Sequence, residues 1–184
     1  SGFLSMSHPS LAQLDHRPWP LPAGRWTWRQ SWFDLAFLHW PLEPEAIEPL
    51  LPRGLELDLF DRQAWIGVVP FTMTLQRRGL PRLPGVRWFP EINVRTYVRH
   101  RGKPGVWFFS LDAASRLAVW GGRQMFHLPY YRAAIEVASD GEGIDYESRR
   151  VGSSEASFAA RYQPAGPLQP AVPGTLEHWL TERY

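Results

Sequence analysis

The chain contains no cysteine, which excludes disulfides, thiol catalysis and cysteine-ligated metal sites together. It is nearly without lysine as well: of its 20 basic residues only Lys103 is one, and the rest are arginines. Lys103 lies in Arg101-Gly102-Lys103-Pro104-Gly105, a turn-like pentapeptide where a side chain is expected to be solvated. No apolar run is long enough for a signal peptide or a membrane span, so a cytoplasmic protein with no membrane partner is the expectation. Gly-x-Ser-x-Gly is missing, and so is a glycine-rich phosphate loop between a strand and a helix. The 6 histidines are scattered without ligand spacing, so neither a metal nor a cofactor is expected.

Arginine and tryptophan are abundant instead. Nineteen-to-one use of arginine with 10 tryptophans would suit phosphate pairing and base stacking. However, 18 acidic residues bring the formal charge to only +2, and no basic run exceeds two residues. Nucleic acid is therefore not an expected partner. The densest basic stretch, Arg77 through Arg87, is rich in proline and glycine and reads as a rim over a pocket.

Seven or eight short strand-like runs with few helical ones give a mainly β protein. Trp32 to Trp40 is apolar on both alternating faces and reads as one strand buried on both sides. A short helix is expected after Pro44, then strands over 55–60 and 64–75. Glu91 to Arg99 alternates strictly, with Ile92, Val94, Thr96 and Val98 on one face and Glu91, Asn93, Arg95, Tyr97 and Arg99 on the other. A hairpin returns the chain as Val106 to Leu111, 113–126 has mixed periodicity, and three strands follow over 130–138, 144–150 and 154–162. Thr175 caps a last helix running to Tyr184, while 7–24 reads as an irregular arm.

Within this pattern, Gly121-Gly122-Arg123-Gln124-Met125-Phe126-His127-Leu128-Pro129-Tyr130-Tyr131 resembles the Gly-Arg-Glu, four residues, Pro-Lys-Lys signature of acetoacetate decarboxylases, with tyrosines in place of both lysines. In that family the first lysine forms a Schiff base and the second, a like charge, helps hold it unprotonated. Three further pieces agree in order. Leu50-Leu51-Pro52-Arg53-Gly54-Leu55-Glu56-Leu57-Asp58 resembles a family segment, Glu91 precedes Gly102 by 11 residues as the family's active-site glutamate precedes its turn glycine, and Leu111-Asp112 matches the Leu-Asp before the Gly-Arg motif. The likeness is greatest to an uncharacterised bacterial branch, the YqjF-like proteins, of which Phe37-Leu38-His39-Trp40-Pro41, Val69-Pro70-Phe71 and 89–98 are typical.

The resemblance implies an acetoacetate decarboxylase-like antiparallel β-barrel with an internal cavity and a few short helices, one of them over part of 113–126. Residues 1–5, before Met6, read as a cloning remnant, and 6–184 as one such domain, with room for a terminal strand pair beyond Tyr184. It also makes Glu91 a candidate acid or base and Tyr130 a candidate carbonyl polariser, since a phenol can donate a hydrogen bond but cannot form an imine. Arg95, Arg123, Tyr131 and His39 are candidate ligand-binding groups, the arginines because a guanidinium fork suits a carboxylate. Arg123 could equally be tied in an ion pair with Glu91 or Asp112, and His39 could be a core histidine. The expected partner is a small carbonyl or carboxylate compound, bound without turnover or processed by lysine-independent acid–base chemistry. A homo-oligomer stays open.

Overall fold

The computed structural model describes residues 14, 19–20, 23–81, 85–167 and 169–183. The expected arm over 7–24 and the end at Tyr184 fall largely or wholly outside them. Two compact units are present, a large one over 25–169 and a small one that includes the chain from Pro170 on.

The large unit is built on a mixed sheet of nine strands: β1 (Trp28–Phe33), β2 (Leu38–Leu42), β3 (Glu56–Leu57), β4 (Ala64–Arg77), β5 (Phe89–His100), β6 (Lys103–Ala113), β7 (Tyr130–Ser139), β8 (Ile144–Arg150) and β9 (Ser157–Tyr162). The order is β1-β4-β5-β6-β7-β8-β9, with β2 also on β4 and β3 also on β5. The expected barrel is not closed by a strand ladder: among the described residues β1 and β9 stand at opposite ends of the path. What spans the gap is a side chain, the Tyr162 hydroxyl donating to the Asp34 carbonyl at 2.6 Å. The sheet is also not wholly antiparallel, because β6 and β7 pair in parallel at Leu111–Ala113 and Tyr130–Arg132.

That parallel pair dictates a crossover, which the chain makes with helix α2 (Arg116–Phe126). The Ser115 hydroxyl accepts from the Ala118 amide at 3.1 Å to start the helix. His127, in the left-handed region at φ 52, stops it, and Leu128 donates back to the Gly122 carbonyl before Pro129. The β5–β6 hairpin turns tightly on Arg101 and Gly102, both at positive φ (50 and 78). Lys103 is thus the first residue of β6 and exposed.

The single strand expected over Trp32 to Trp40 is two strands, β1 and β2, laid in succession along one edge of β4. The break has a cause in the partner. The Pro70 carbonyl accepts from the Ala36 amide, so the N–H that Pro70 lacks would face this same edge. Four residues (34–37) then lie opposite three (69–71), with Asp34 taking a left-handed φ of 53. This edge is not buried on both sides either: Trp32, Phe33, Phe37 and Trp40 are all exposed by more than a third.

The inner face carries the core: Val69, Phe71, Met73, Phe89, Leu111, Ala113 and Tyr130, with Ala118, Val119 and Leu128 packed on it from α2 and the segment beyond it. A short helix α1 (Pro44–Ile47) and a 3₁₀ turn (Glu48–Leu50) follow β2. In the small unit Thr175 accepts from the His178 amide and caps α3 (Leu176–Thr181).

Candidate functional site

The register places Glu91 beside Phe71 and Ala113, Asn93 beside Val69 and Leu111, and Arg95 beside Gly67 and Phe108. Side chains paired across a ladder share a face. The polar face of β5 therefore points into the core. Glu91, Asn93, Arg95 and Tyr97 are all at most 2 % exposed, and only Arg99, paired with Asp58, reaches solvent.

Glu91 and Tyr130 are brought together. The Tyr130 hydroxyl donates to Glu91 Oε2 at 2.9 Å in a buried contact. Burial outweighs this hydrogen bond, and the nearby Asp112 charge adds to it, so the Glu91 carboxyl is pushed up to about 8. Around neutral pH it is mostly a protonated acid. Tyr130 is raised as well, first by burial and then by Glu91, and stays a neutral phenol. A third group, Tyr146, fully buried on β8, donates to the Glu91 main-chain carbonyl at 2.8 Å and pins the strand there.

Arg123 is held at this site too, though not as an ion pair with Glu91 or Asp112. Its Nε donates to the Tyr130 carbonyl at 2.6 Å, and its guanidinium lies 5.4 Å from the Tyr131 ring centre. Gly122, one residue earlier, lets the helix touch the Tyr130 ring: a Cβ there would come within 2.3 Å of Tyr130 Cδ2. Tyr131 points the other way, to the outer face with its ladder neighbour Asp112. There Arg150 grips Asp112 through two bonds, 2.9 and 2.7 Å, while stacking 3.8 Å above Tyr131.

His39 and Arg95 form a separate cluster. Arg95 stacks on Phe37 at 5.1 Å and on Tyr97 at 5.7 Å. His39 Nε2 sits 2.6 Å from the Tyr97 hydroxyl. Burial and the Arg95 charge push the His39 imidazole down to about 4, so it is neutral and can accept from that hydroxyl. Gly67 makes room, since a Cβ would come within 3.0 Å of His39 Nε2.

Beside Tyr130 lies a cavity of about 400 Å³ between α2 and the β1–β4 edge. Trp28, Met73, Leu117, Trp120, Phe126 and Leu128 give it an apolar wall, and Tyr130 forms part of its lining. Of the six candidate residues only Tyr130 lines it; Glu91 stands one hydrogen bond behind. The sequence reading missed the wall on α2 and the bond from Arg150 to Asp112. A signal for the first was present, since a Gly-Gly pair inside a helical stretch marks close approach of a neighbour.

The mixed sheet with its β-α-β crossover and an interior glutamate on β5 has an acetoacetate decarboxylase-like fold. The chain belongs to the DUF2071 family of uncharacterized conserved proteins, whose profile matches residues 29–184. It is 49% identical over 165 residues to the uncharacterized protein YqjF of Bacillus subtilis (strain 168), covering 89% of this chain and 68% of that one. Among solved structures it is similar to the enduracididine biosynthesis enzyme MppR complexed with the condensation product of pyruvate and imidazole 4-carboxaldehyde, at TM-score 0.58 and 19% identity over 68% of this chain and 53% of that chain. It is also similar to acetoacetate decarboxylase from Legionella pneumophila, at TM-score 0.51 and 17% identity over 78% and 56%. These likenesses establish the fold, and the chain spans about half the length of the solved structures. Among the described residues no helix is long and apolar enough to cross a membrane.

Proposed function

We propose that this chain binds a small, largely apolar carbonyl compound in the cavity under α2, with the Tyr130 phenol turning its one proton from Glu91 to the carbonyl and the protonated Glu91 donating to the phenol oxygen in exchange. One observation carries the reading: Tyr130 belongs at once to the wall of an apolar cavity and to a buried bond with a carboxyl group. A carbonyl entering such a site exchanges water for a fixed donor, while its apolar part fills space that water occupies poorly. Arg123 contributes by holding the Tyr130 backbone and not by facing the ligand. His39, Arg95 and Tyr131 serve as structural groups in this reading. Of three solved MppR structures similar in fold, one is complexed with pyruvate, one with the condensation product of pyruvate and imidazole 4-carboxaldehyde, and one holds HEPES buffer.

A second reading has its own observation. An acid held near 8 is poised to exchange protons around neutral pH, as enolisation or hydration requires. In enolisation Tyr130 would pass its proton to the carbonyl oxygen, Glu91 would replace that proton through their hydrogen bond, and a water molecule would take the proton from the adjacent carbon and return it to Glu91, with no amine involved.

Thermal melting against octan-2-one and acetophenone tests the binding reading. Saturation at a hundredfold excess over the dissociation constant should raise the melting temperature by roughly 5 to 10 °C. Tyr130→Phe should cut that shift while leaving the shift given by a hydrocarbon of equal size. No shift with any carbonyl compound would refute it. Deuterium uptake beside the carbonyl, followed by proton NMR and abolished in Glu91→Gln, separates turnover from binding alone.

A further inference from the structure

The cavity has a second polar end. Arg77 closes β4, pairs with Trp28 of β1 and holds its guanidinium 5.7 Å from the centre of the Trp28 ring. Both residues line the cavity, with Gln30 next along the same face of β1. Arg77 is the only charged residue of the wall among the described residues. Met73, four residues back along β4, lines the cavity too and belongs with Tyr130 to the core cluster. Four steps of a strand span roughly 13 Å. The site therefore offers an exposed cation at one end of an apolar passage whose wall includes Tyr130.

We propose that its ligand is a medium-chain monocarboxylate carrying an oxo group toward its far end, with the carboxylate on Arg77 and the oxo group on Tyr130. This deepens the carbonyl-binding reading and rests on it. Charge complementarity chooses the head group: a guanidinium pairs with a carboxylate through two parallel bonds, and its stack on Trp28 keeps it at that end. The passage chooses the body. An extended medium-length acyl chain matches about 13 Å of wall lined by Leu75, Leu117, Trp120 and Phe126, whereas a two- or three-carbon acid reaches only one end. The half-exposed side chains of Trp120 and Met125 then become covered by the ligand.

Calorimetric titration of the whole chain with four probes tests this: octan-2-one, octanoate, 7-oxooctanoate and pyruvate. We expect 7-oxooctanoate to bind tightest and pyruvate weakest, with each added methylene of the acid series tightening binding about fourfold until the cavity is full. Arg77→Gln should weaken 7-oxooctanoate and octanoate about fivefold and leave octan-2-one unchanged, and Arg77→Lys should restore part of the loss. Added salt should weaken the two acids alone. Equal affinity of octan-2-one and 7-oxooctanoate, with no effect of Arg77→Gln, overturns the acid proposal and leaves the carbonyl reading standing. Failure of octan-2-one and both longer acids refutes both. A chain that dimerises and loses octanoate binding as it does so also overturns the proposal, because a second copy then fills the cavity.

Discussion

Glu91 and Arg95 stand on one strand and one face, four residues and about 13 Å apart, yet their surroundings differ in kind. Arg95 is wedged between aromatic rings, with a neutral histidine bonded to one of them. Glu91 is equally buried, but among the described residues its one side-chain hydrogen-bond partner is Tyr130, whose ring lines a cavity. The comparison teaches that burial of a charged residue does not mark a site. What distinguishes the two is what the partner ring borders, a cavity for Tyr130 and open solvent for Phe37.

The comparison breaks most visibly if Arg95 turns out to serve the ligand. We expect Arg95→Ala to cost about 3 kcal/mol in urea denaturation, because it empties packed volume between Phe37 and Tyr97, and to change octan-2-one affinity less than twofold in the surviving folded fraction. Gly122→Ala should act in the opposite way. Its Cβ meets the Tyr130 ring, so we expect about 2 kcal/mol of destabilisation, net of the helix propensity gained, together with loss of ketone binding.

The two regions also differ in the sign of their pH dependence. The His39 imidazole is depressed to about 4, so the unfolded chain binds more protons there and stability from this group rises with pH up to its usual value of 6.5. The Glu91 carboxyl is raised to about 8 from 4.5, so its contribution is complete at low pH and is lost as pH climbs through that range. Between 6.5 and 8 only Glu91 remains of the two. We expect stability to fall by up to about 2 kcal/mol across that window, and Glu91→Gln to remove the slope. The smallest effect is a null one. Borohydride with acetoacetate should leave no site-specific adduct, because the only side-chain amine, Lys103, lies at the exposed start of β6.

Much of the fold was legible because local rules carry it. The alternation of 91–99 gave β5 and both of its faces, whereas the helix inside 113–126, where the periodicity is mixed, was expected only through the resemblance. The direction of the polar face was not legible from alternation; the resemblance at Glu91 supplied it. The split of Trp32 to Trp40 into β1 and β2 was hidden because its cause, Pro70, sits in another strand. Open closure of the sheet and the parallel β6–β7 pair depend on contacts far apart in sequence, which periodicity does not encode. Of the site, Glu91, Arg123 and Tyr130 were candidates through the resemblance alone, while the bond between Glu91 and Tyr130, the grip of Arg150 on Asp112 and the tie of Arg123 to a backbone carbonyl came only from the structure.

The central claim is that Glu91 is a buried acid whose hydroxyl partner also serves the ligand. Carboxyl carbon NMR of the glutamates, with Glu91→Gln to assign the signal, measures it directly. In the free protein we expect the Glu91 carboxyl to titrate at about 8, and saturating octan-2-one to move the midpoint upward, since the ligand draws the Tyr130 hydroxyl away from the carboxylate. A midpoint at the ordinary 4.5, or one that the ketone leaves unmoved, would contradict the account.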